Sequence, residues 1–278
     1  MPTVIRVAHS PDSDDAFMFY ALATGKIDTG GLEFRHELQD IETLNRRALA
    51  GELEVTAVSI HAYAYVADRY LLLPHGASMG EGYGPRLVAR EALAPEQLHG
   101  RKVAVPGTLT SAYLALRLFQ PELETVVVPF DQIIEQVAAG QADMGLLIHE
   151  GQLTYQDHGL HLIADLGEWW GERTGGLPLP LGGNAIRRDL GPELISRVSV
   201  ILRESIAYGL ENRRAALDHA RSFGRGLTEA QTDEFVGMYV NPRTLDYGDD
   251  GRRAVRLFLE QGYEAGIIPH PVNVQFAD

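Results

Sequence analysis

The 278-residue sequence has no cysteine. That excludes a disulfide framework, a thiolate metal site and a cysteine nucleophile. It has no run of lysine and arginine, and the formal net charge of -14 leaves nothing to neutralise a phosphate backbone. Nucleic acid and anionic membrane are therefore not expected partners. No apolar run reaches the length of a membrane span. The first residues, MPTVIRVAHSPDSDD, carry one arginine and a short apolar stretch before proline, which is neither a signal peptide nor an anchor, so the expected location is cytoplasmic. Phosphate loops, dinucleotide fingerprints and G-x-S-x-G elbows are absent as motifs. With 45% hydrophobic residues, the chain has enough apolar content for a sizeable core, in one large or two medium domains.

What is present is a unit used twice. VIRVAH reads as a strand, SPDSDDAFMFYALATGKI as a capped helix with Phe17, Met18, Ala21 and Leu22 at helical spacing, LEFRHEL as a strand, IETLNRRALAGE as a helix ending at Gly51, and VTAVSI as a buried strand. Further on, RKVAVPG, TLTSAYLALRLF, ETVVVPF, DQIIEQVAAGQ and DMGLLIH repeat that order. TLNRRALAGELEVTAVSI lies over QIIEQVAAGQADMGLLIH without a gap, matching Gly51 to Gly140 and Glu54 to Asp143. The repeat predicts two similar α/β lobes. The glycine- and proline-rich segments GASMGEGYGP and GGLPLPLGGN mark the crossings between them, and a mostly helical C-terminal part packs back on the first lobe. The expected division is residues 1–89 plus 183–278 for the larger lobe and 90–182 for the smaller, with a ligand cleft between.

In open α/β sheets, ligands bind beyond the carboxyl ends of strands, where helix N-termini also offer free N–H groups. Ser10, the segment Thr108 to Ser111, and His149 occupy such ends. Taken alone, a single histidine after an apolar strand is more often structural than catalytic. Strand alternation puts His149 on the face of Leu147 and turns Glu150 away, so Glu150 reads as a loop or hinge contact.

The stretches HSPDSDDAFMFYAL, VSIHAYAY, GYGPRLVAR, VAVPGTLTSAYLALRL, GLLIHEGQLTY, DLGEWWGERTGGLPLPLGGN and YVNPRTLDYG run in order along almost the whole chain. Together they resemble the 1,4-dihydroxy-6-naphthoate synthases of the futalosine route to menaquinone. That resemblance implies the two-lobed fold of type II periplasmic binding proteins used as an enzyme. The implied reaction is a lyase conversion of cyclic dehypoxanthine futalosine to 1,4-dihydroxy-6-naphthoate, with loss of a three-carbon sugar fragment and with no metal or organic cofactor. It further implies that His149, in the family's I-H-E-G motif, is the catalytic base. Where many members read S-P-C-P-N-D-T-F, this chain has Ser10-Pro11-Asp12-Ser13-Asp14-Asp15-Ala16-Phe17. Two other functions fit the same fold: the chorismate dehydratases of the same pathway, whose usual N-terminal pattern is not seen, and a non-catalytic binder of a small anion.

With that resemblance in hand, the expected substrate is a small carboxylate. Thr110, Ser111 and the backbone of Ala112 are expected to hold its carboxylate, with Thr108 beside them among the substrate-binding residues, since a helix start favours an anion while its hydroxyls cap the helix. Ser10 and Ser59 end strands of the first lobe and are expected to meet hydroxyl or carbonyl groups. Arg86 reads as an exposed arginine beside a crossing. Asp12, Asp14 and Asp15 read as helix-start aspartates, without calcium-loop spacing. Leu153 stands where an H-E-x-x-H zinc helix needs its second histidine, and no third ligand accompanies His158 and His161, so no metal site is expected. Trp169 and Trp170 read as packing surface rather than a stacking platform. The sequence does not address oligomeric state.

Overall fold

The computed structural model describes residues 3–94, 97–224 and 226–278. Among these residues, eleven strands form two sheets. The first contains β1 (Thr3–His9), β2 (Leu32–Leu38), β3 (Val55–Ser59), β4 (Tyr70–Leu72), β5 (Ser78–Gly80) and β11 (Leu179–Arg187). Its order is β2-β1-β3-β11-β4, with β5 also paired to β11. The second contains β6 (Arg86–Ala89), β7 (Lys102–Val105), β8 (Glu124–Val127), β9 (Met144–Leu147) and β10 (His161–Asp165), in the order β10-β6-β9-β7-β8.

The two orders are one pattern. β1 runs parallel to β2 and β3, as β7 does to β8 and β9. The fourth strand of each sheet is antiparallel, β11 beside β3 and β6 beside β9. These antiparallel strands adjoin the crossings: the chain enters the second sheet at β6 and returns to the first at β11. Since β6 pairs with β9 and β10, the first crossing lies before Arg86, in residues 81–85, rather than at residue 89. Glycine makes that crossing possible. A Cβ on Gly167 would stand 1.9 Å from the Tyr83 carbonyl oxygen, and one on Gly84 would stand 2.7 Å from the Gly167 nitrogen, so the two backbones touch directly.

The helix expected after β1 is broken into Ser13–Met18 and Tyr20–Ala23. Ser205, on the long helix Pro192–Glu211, causes the break: its hydroxyl donates to the Met18 carbonyl at 2.9 Å and accepts the Leu22 N–H at 3.2 Å. The helices Pro192–Glu211 and Arg213–Ala220 pack on this pair, covering the face of the first sheet that buries Ile5, Val7 and Ile186. Helix Gly248–Glu264 packs on β11 and also reaches the second-lobe helix Ser111–Phe119, so the apolar core runs on from one lobe to the other.

Candidate active site

The carboxyl ends of β1, β3, β7 and β9 converge on a cleft that is open to solvent. Ser10, Ser59, Thr110, Ser111, Ala112 and His149 all line it. Thr108 does not; it is half-buried in the turn before the helix.

Ser59 is held from behind. The fully buried Asn45, on helix Ile41–Ala50, accepts its N–H at 2.9 Å and donates to its hydroxyl oxygen at 3.0 Å, which leaves the Ser59 hydroxyl proton for the cleft. The backbone N–H of Ser10 donates to Asp15 Oδ2 at 2.7 Å. Thr110 caps helix Ser111–Phe119, accepting the Tyr113 N–H at 3.1 Å and donating to the Gly107 carbonyl at 3.0 Å. The Ser111 hydroxyl donates to the Leu181 carbonyl at 2.5 Å and accepts the His61 N–H at 3.2 Å, so it stitches the lobes together. The Leu114 N–H returns to the Thr110 carbonyl, and among the described residues the N–H groups of Ser111 and Ala112 have no acceptor. These two donors stand at a helix start that lines the cleft, as the first N–H groups of a helix are left without an intrahelical acceptor.

His149 follows β9 with φ 55°, in the left-handed region that a non-glycine residue occupies at a cost of about 1–3 kcal/mol. Gln152 holds it there. With the Gln152 amide nitrogen donating to the Gly84 carbonyl at 2.8 Å, as its surroundings dictate, its amide oxygen accepts the His149 N–H at 3.2 Å and the Tyr239 hydroxyl at 2.8 Å. The backbone N–H of Gln152 donates back to the His149 carbonyl at 3.1 Å. Phe130 meets the imidazole edge-on, with ring centroids 5.0 Å apart. On the ring itself, Nδ1 lies 3.2 Å from Asp12 Oδ2, and Nε2 is buried with no hydrogen-bond partner among the described residues.

Asp12, Asp14 and Asp15 do begin a helix, yet all three are buried and line the cleft. Burial first, then the charges of Asp15, Asp12 and Glu150, hold the Asp14 carboxyl well above the usual carboxylate range. Burial, then Asp12, pushes Asp15 up to about 7 against the opposing hydrogen bond from Ser10. Among the described residues, no group of three or more histidine, aspartate or glutamate side chains is placed to hold a metal ion. Arg86 is committed to structure: it donates to the Gln152 carbonyl at 2.5 Å and to Asp165 Oδ2 at 3.4 Å. Trp170 is fully buried, its indole N–H on the Pro178 carbonyl at 3.0 Å, and Trp169 packs edge-on to Phe119; neither reaches the cleft.

Sequence reasoning passed over Asp12 as a partner of His149, and it missed Gln152, Tyr239 and Asn184. Asn184 is a buried cleft residue on β11 whose Nδ2 finds no partner among the described residues. The signal for Gln152 lay three residues past His149, but nothing local announces Tyr239, which is 87 residues away in sequence.

A family model described as menaquinone biosynthesis matches residues 5–264. A curated 1,4-dihydroxy-6-naphthoate synthase of Thermus thermophilus is 44% identical over 268 residues, covering 96% of this chain and 97% of that protein. Another, from Streptomyces coelicolor, is 39% identical over 271 residues, covering 95% of each. The crystal structure of a protein from Archaeoglobus fulgidus superposes with TM-score 0.91 at 48% identity, over 95% of this chain and 98% of that one. An alkanesulfonate-binding protein of Xanthomonas axonopodis, at 14% identity, covers 98% of this chain and 96% of its own with TM-score 0.74. A Candida albicans protein described as having the generic periplasmic-binding-protein fold does so at 13% identity with TM-score 0.64, covering 99% and 98%. The fold is that of the periplasmic binding proteins. No helix among the described residues is long and apolar enough to cross a membrane.

Proposed function

The chain belongs to the menaquinone biosynthesis family, and we propose that its cleft carries out the conversion of cyclic dehypoxanthine futalosine to 1,4-dihydroxy-6-naphthoate, as a cytoplasmic lyase with His149 as general base. The names of the curated relatives support the product. The observation that carries the base is the state of the His149 ring: it lines the cleft, its backbone is held in a strained conformation, and its Nε2 is buried without a hydrogen-bond partner among the described residues. A buried ring nitrogen with nothing to bond is costly unless a ligand completes it.

In this reading the substrate carboxylate sits on the N–H groups of Ser111 and Ala112, where the helix end favours negative charge. The Ser111 hydroxyl has its own partners, so it takes no part in that contact. Nε2 removes a proton from the carbon beside the substrate carbonyl: the C–H bond breaks, its electron pair moves onto the carbonyl oxygen, and the proton stays on the imidazole. The Ser59 hydroxyl, oriented by Asn45, and the Ser10 hydroxyl face the developing oxyanion. The enolate pair then re-forms the carbonyl and breaks the C–O bond on the adjacent carbon, opening the sugar ring while the imidazolium returns its proton to the departing oxygen; the three-carbon fragment leaves in later steps, which aromatic stabilisation of the naphthoate pulls forward. The two lobes are taken as the two sheets with their covering helices, meeting at residues 81–85 and 166–178.

The test is His149→Asn, which keeps a polar side chain but cannot take up a proton near neutral pH. Product followed by mass spectrometry should form about 10²- to 10⁴-fold more slowly, with KM little changed and the melting temperature close to wild type. A structural histidine predicts the opposite pattern, a lower melting temperature with near-normal turnover of the folded fraction. Formation of product from chorismate, or from neither substrate, by the wild-type protein would overturn the assigned reaction.

A further inference from the structure

His149 and Asp12 come from different lobes. His149 ends the β9 segment of the second sheet, and Asp12 stands at the N-cap position of helix Ser13–Met18, just after β1 of the first. Their side chains nevertheless meet, Nδ1 to Oδ2 at 3.2 Å, with only 1% of the Asp12 side chain exposed. A carboxylate oxygen offers lone pairs. If Nδ1 also pointed a lone pair at it, the contact would be repulsive, and burial would leave no water to relieve it. Against the carboxylate form of Asp12, the contact is attractive only when the proton is on Nδ1. In the neutral ring that leaves the free lone pair on Nε2, the nitrogen without a partner among the described residues.

We propose that Asp12 is a positioning residue that fixes the tautomer and rotation of the His149 imidazole, so that Nε2 is the nitrogen that accepts the proton. This rests on the reading of His149 as the base. The restraints on the ring divide cleanly. Gln152 holds the backbone on both sides of the residue through the His149 N–H and carbonyl. Phe130 limits the ring from its edge. Neither can distinguish Nδ1–H from Nε2–H, because one acts on the backbone and the other is a hydrocarbon. Asp12 supplies the discrimination. Since Asp12 belongs to the opposite lobe, the competent tautomer is enforced only when the lobes are together, and assembly of the base is thereby coupled to closure over the ligand.

The primary experiment needs no variant. In protein labelled with ¹⁵N-histidine, long-range ¹H–¹⁵N correlation spectra report the protonation of each ring nitrogen, and His149 is assigned among the ten histidines by its absence from the spectrum of His149→Asn. The expected pattern is a protonated Nδ1 and an unprotonated Nε2; the reverse pattern overturns the proposal. Kinetics add a second arm. Asp12→Ala should lower kcat by about 10- to 100-fold, the usual effect of losing a partner that orients a reactive imidazole, with KM changed less than about threefold, and its His149 signals should show mixed tautomers. Wild-type kcat in Asp12→Ala, alongside an inactive His149→Asn, would overturn the role of Asp12 and leave His149 as base. Near-normal turnover by His149→Asn would remove both. If Asp12→Ala does not fold, the wild-type spectrum alone decides.

Discussion

A carboxyl group in the cleft wall responds to burial before it responds to anything else, and Asp15 illustrates the consequence. Its ordinary value of 3.8 is pushed up to about 7, by burial and then by Asp12. Between those two values the folded chain keeps a proton that the unfolded chain has released, so this residue destabilises the fold increasingly as pH rises from about 4 to about 7, and by a constant amount above that. Asp14 acts in the same direction. Asparagine at position 15 keeps an oxygen for the Ser10 N–H and has nothing to ionise. The unfolding free energy of Asp15→Asn relative to wild type should therefore rise by on the order of a few kcal/mol between pH 4 and pH 8, read from urea titrations at fixed pH. Parallel pH profiles for the two proteins would mean that Asp15 ionises normally. The acidic start of this helix was visible in the sequence, but its meaning was not. Aspartate before a helix is ordinary, and only the fold reveals that Asp12, Asp14 and Asp15 line the cleft and that Asp12 meets a histidine on the other lobe.

At the level of elements, the internal repeat was the most legible feature because it is written in backbone requirements that sequence must meet locally. Gly51 and Gly140, matched in the alignment, both take left-handed conformations after their helices, with φ 70° and 77°. Glu54 and Asp143, also matched, do the same task in the two sheets. Glu54 Oε2 accepts the Arg6 N–H at 3.0 Å one residue before β1 begins to pair with β3, and Asp143 Oδ2 accepts the Lys102 N–H at 2.9 Å one residue before β7 begins to pair with β9. Less legible were the features that depend on distant segments. The sequence does not say that Ser205 will break the first helix, or that Ser111 spends its hydroxyl on Leu181 and His61. The crossing itself makes a sharp prediction. Because a Cβ on Gly167 would overlap the Tyr83 carbonyl, and the obstacle is backbone rather than a movable side chain, Gly167→Ala should cost about 3 kcal/mol or more, whereas Gly171→Ala, with open space around its Cβ inside the same helix, should be neutral or stabilising. Urea midpoints of the two variants measure the contrast, and equal midpoints would show that the crossing can yield.

The whole molecule is two similar sheets whose facing ends must be brought together, and few polar contacts hold them at the cleft. Asp12 meets His149, Tyr239 meets Gln152, and Glu42 reaches across from helix Ile41–Ala50 to accept the Leu109 N–H at 3.2 Å. Glu42 lies directly against the loop, so close that a Cβ on Gly107 would stand 2.3 Å from its carboxylate oxygen. It touches neither His149 nor the Ser111 and Ala112 donors, so it can be removed without altering the proposed chemistry. A hydrogen bond from backbone to a charged acceptor is worth about 1.5–3 kcal/mol, less where solvent reaches it, and burial works against Glu42 by pushing its carboxyl up. A loss of about 1 kcal/mol of closure energy lowers the closed-to-open ratio about fivefold, and apparent affinity falls with the closed fraction. Glu42→Ala should then raise KM by about three- to tenfold while kcat, measured with the cleft saturated and closed, stays within about twofold. Small-angle scattering of the ligand-free variant should give a larger radius of gyration than wild type, and saturating product should abolish the difference. Unchanged scattering and KM would mean that the apolar core shared by the lobes, rather than the contacts across the cleft, sets their separation.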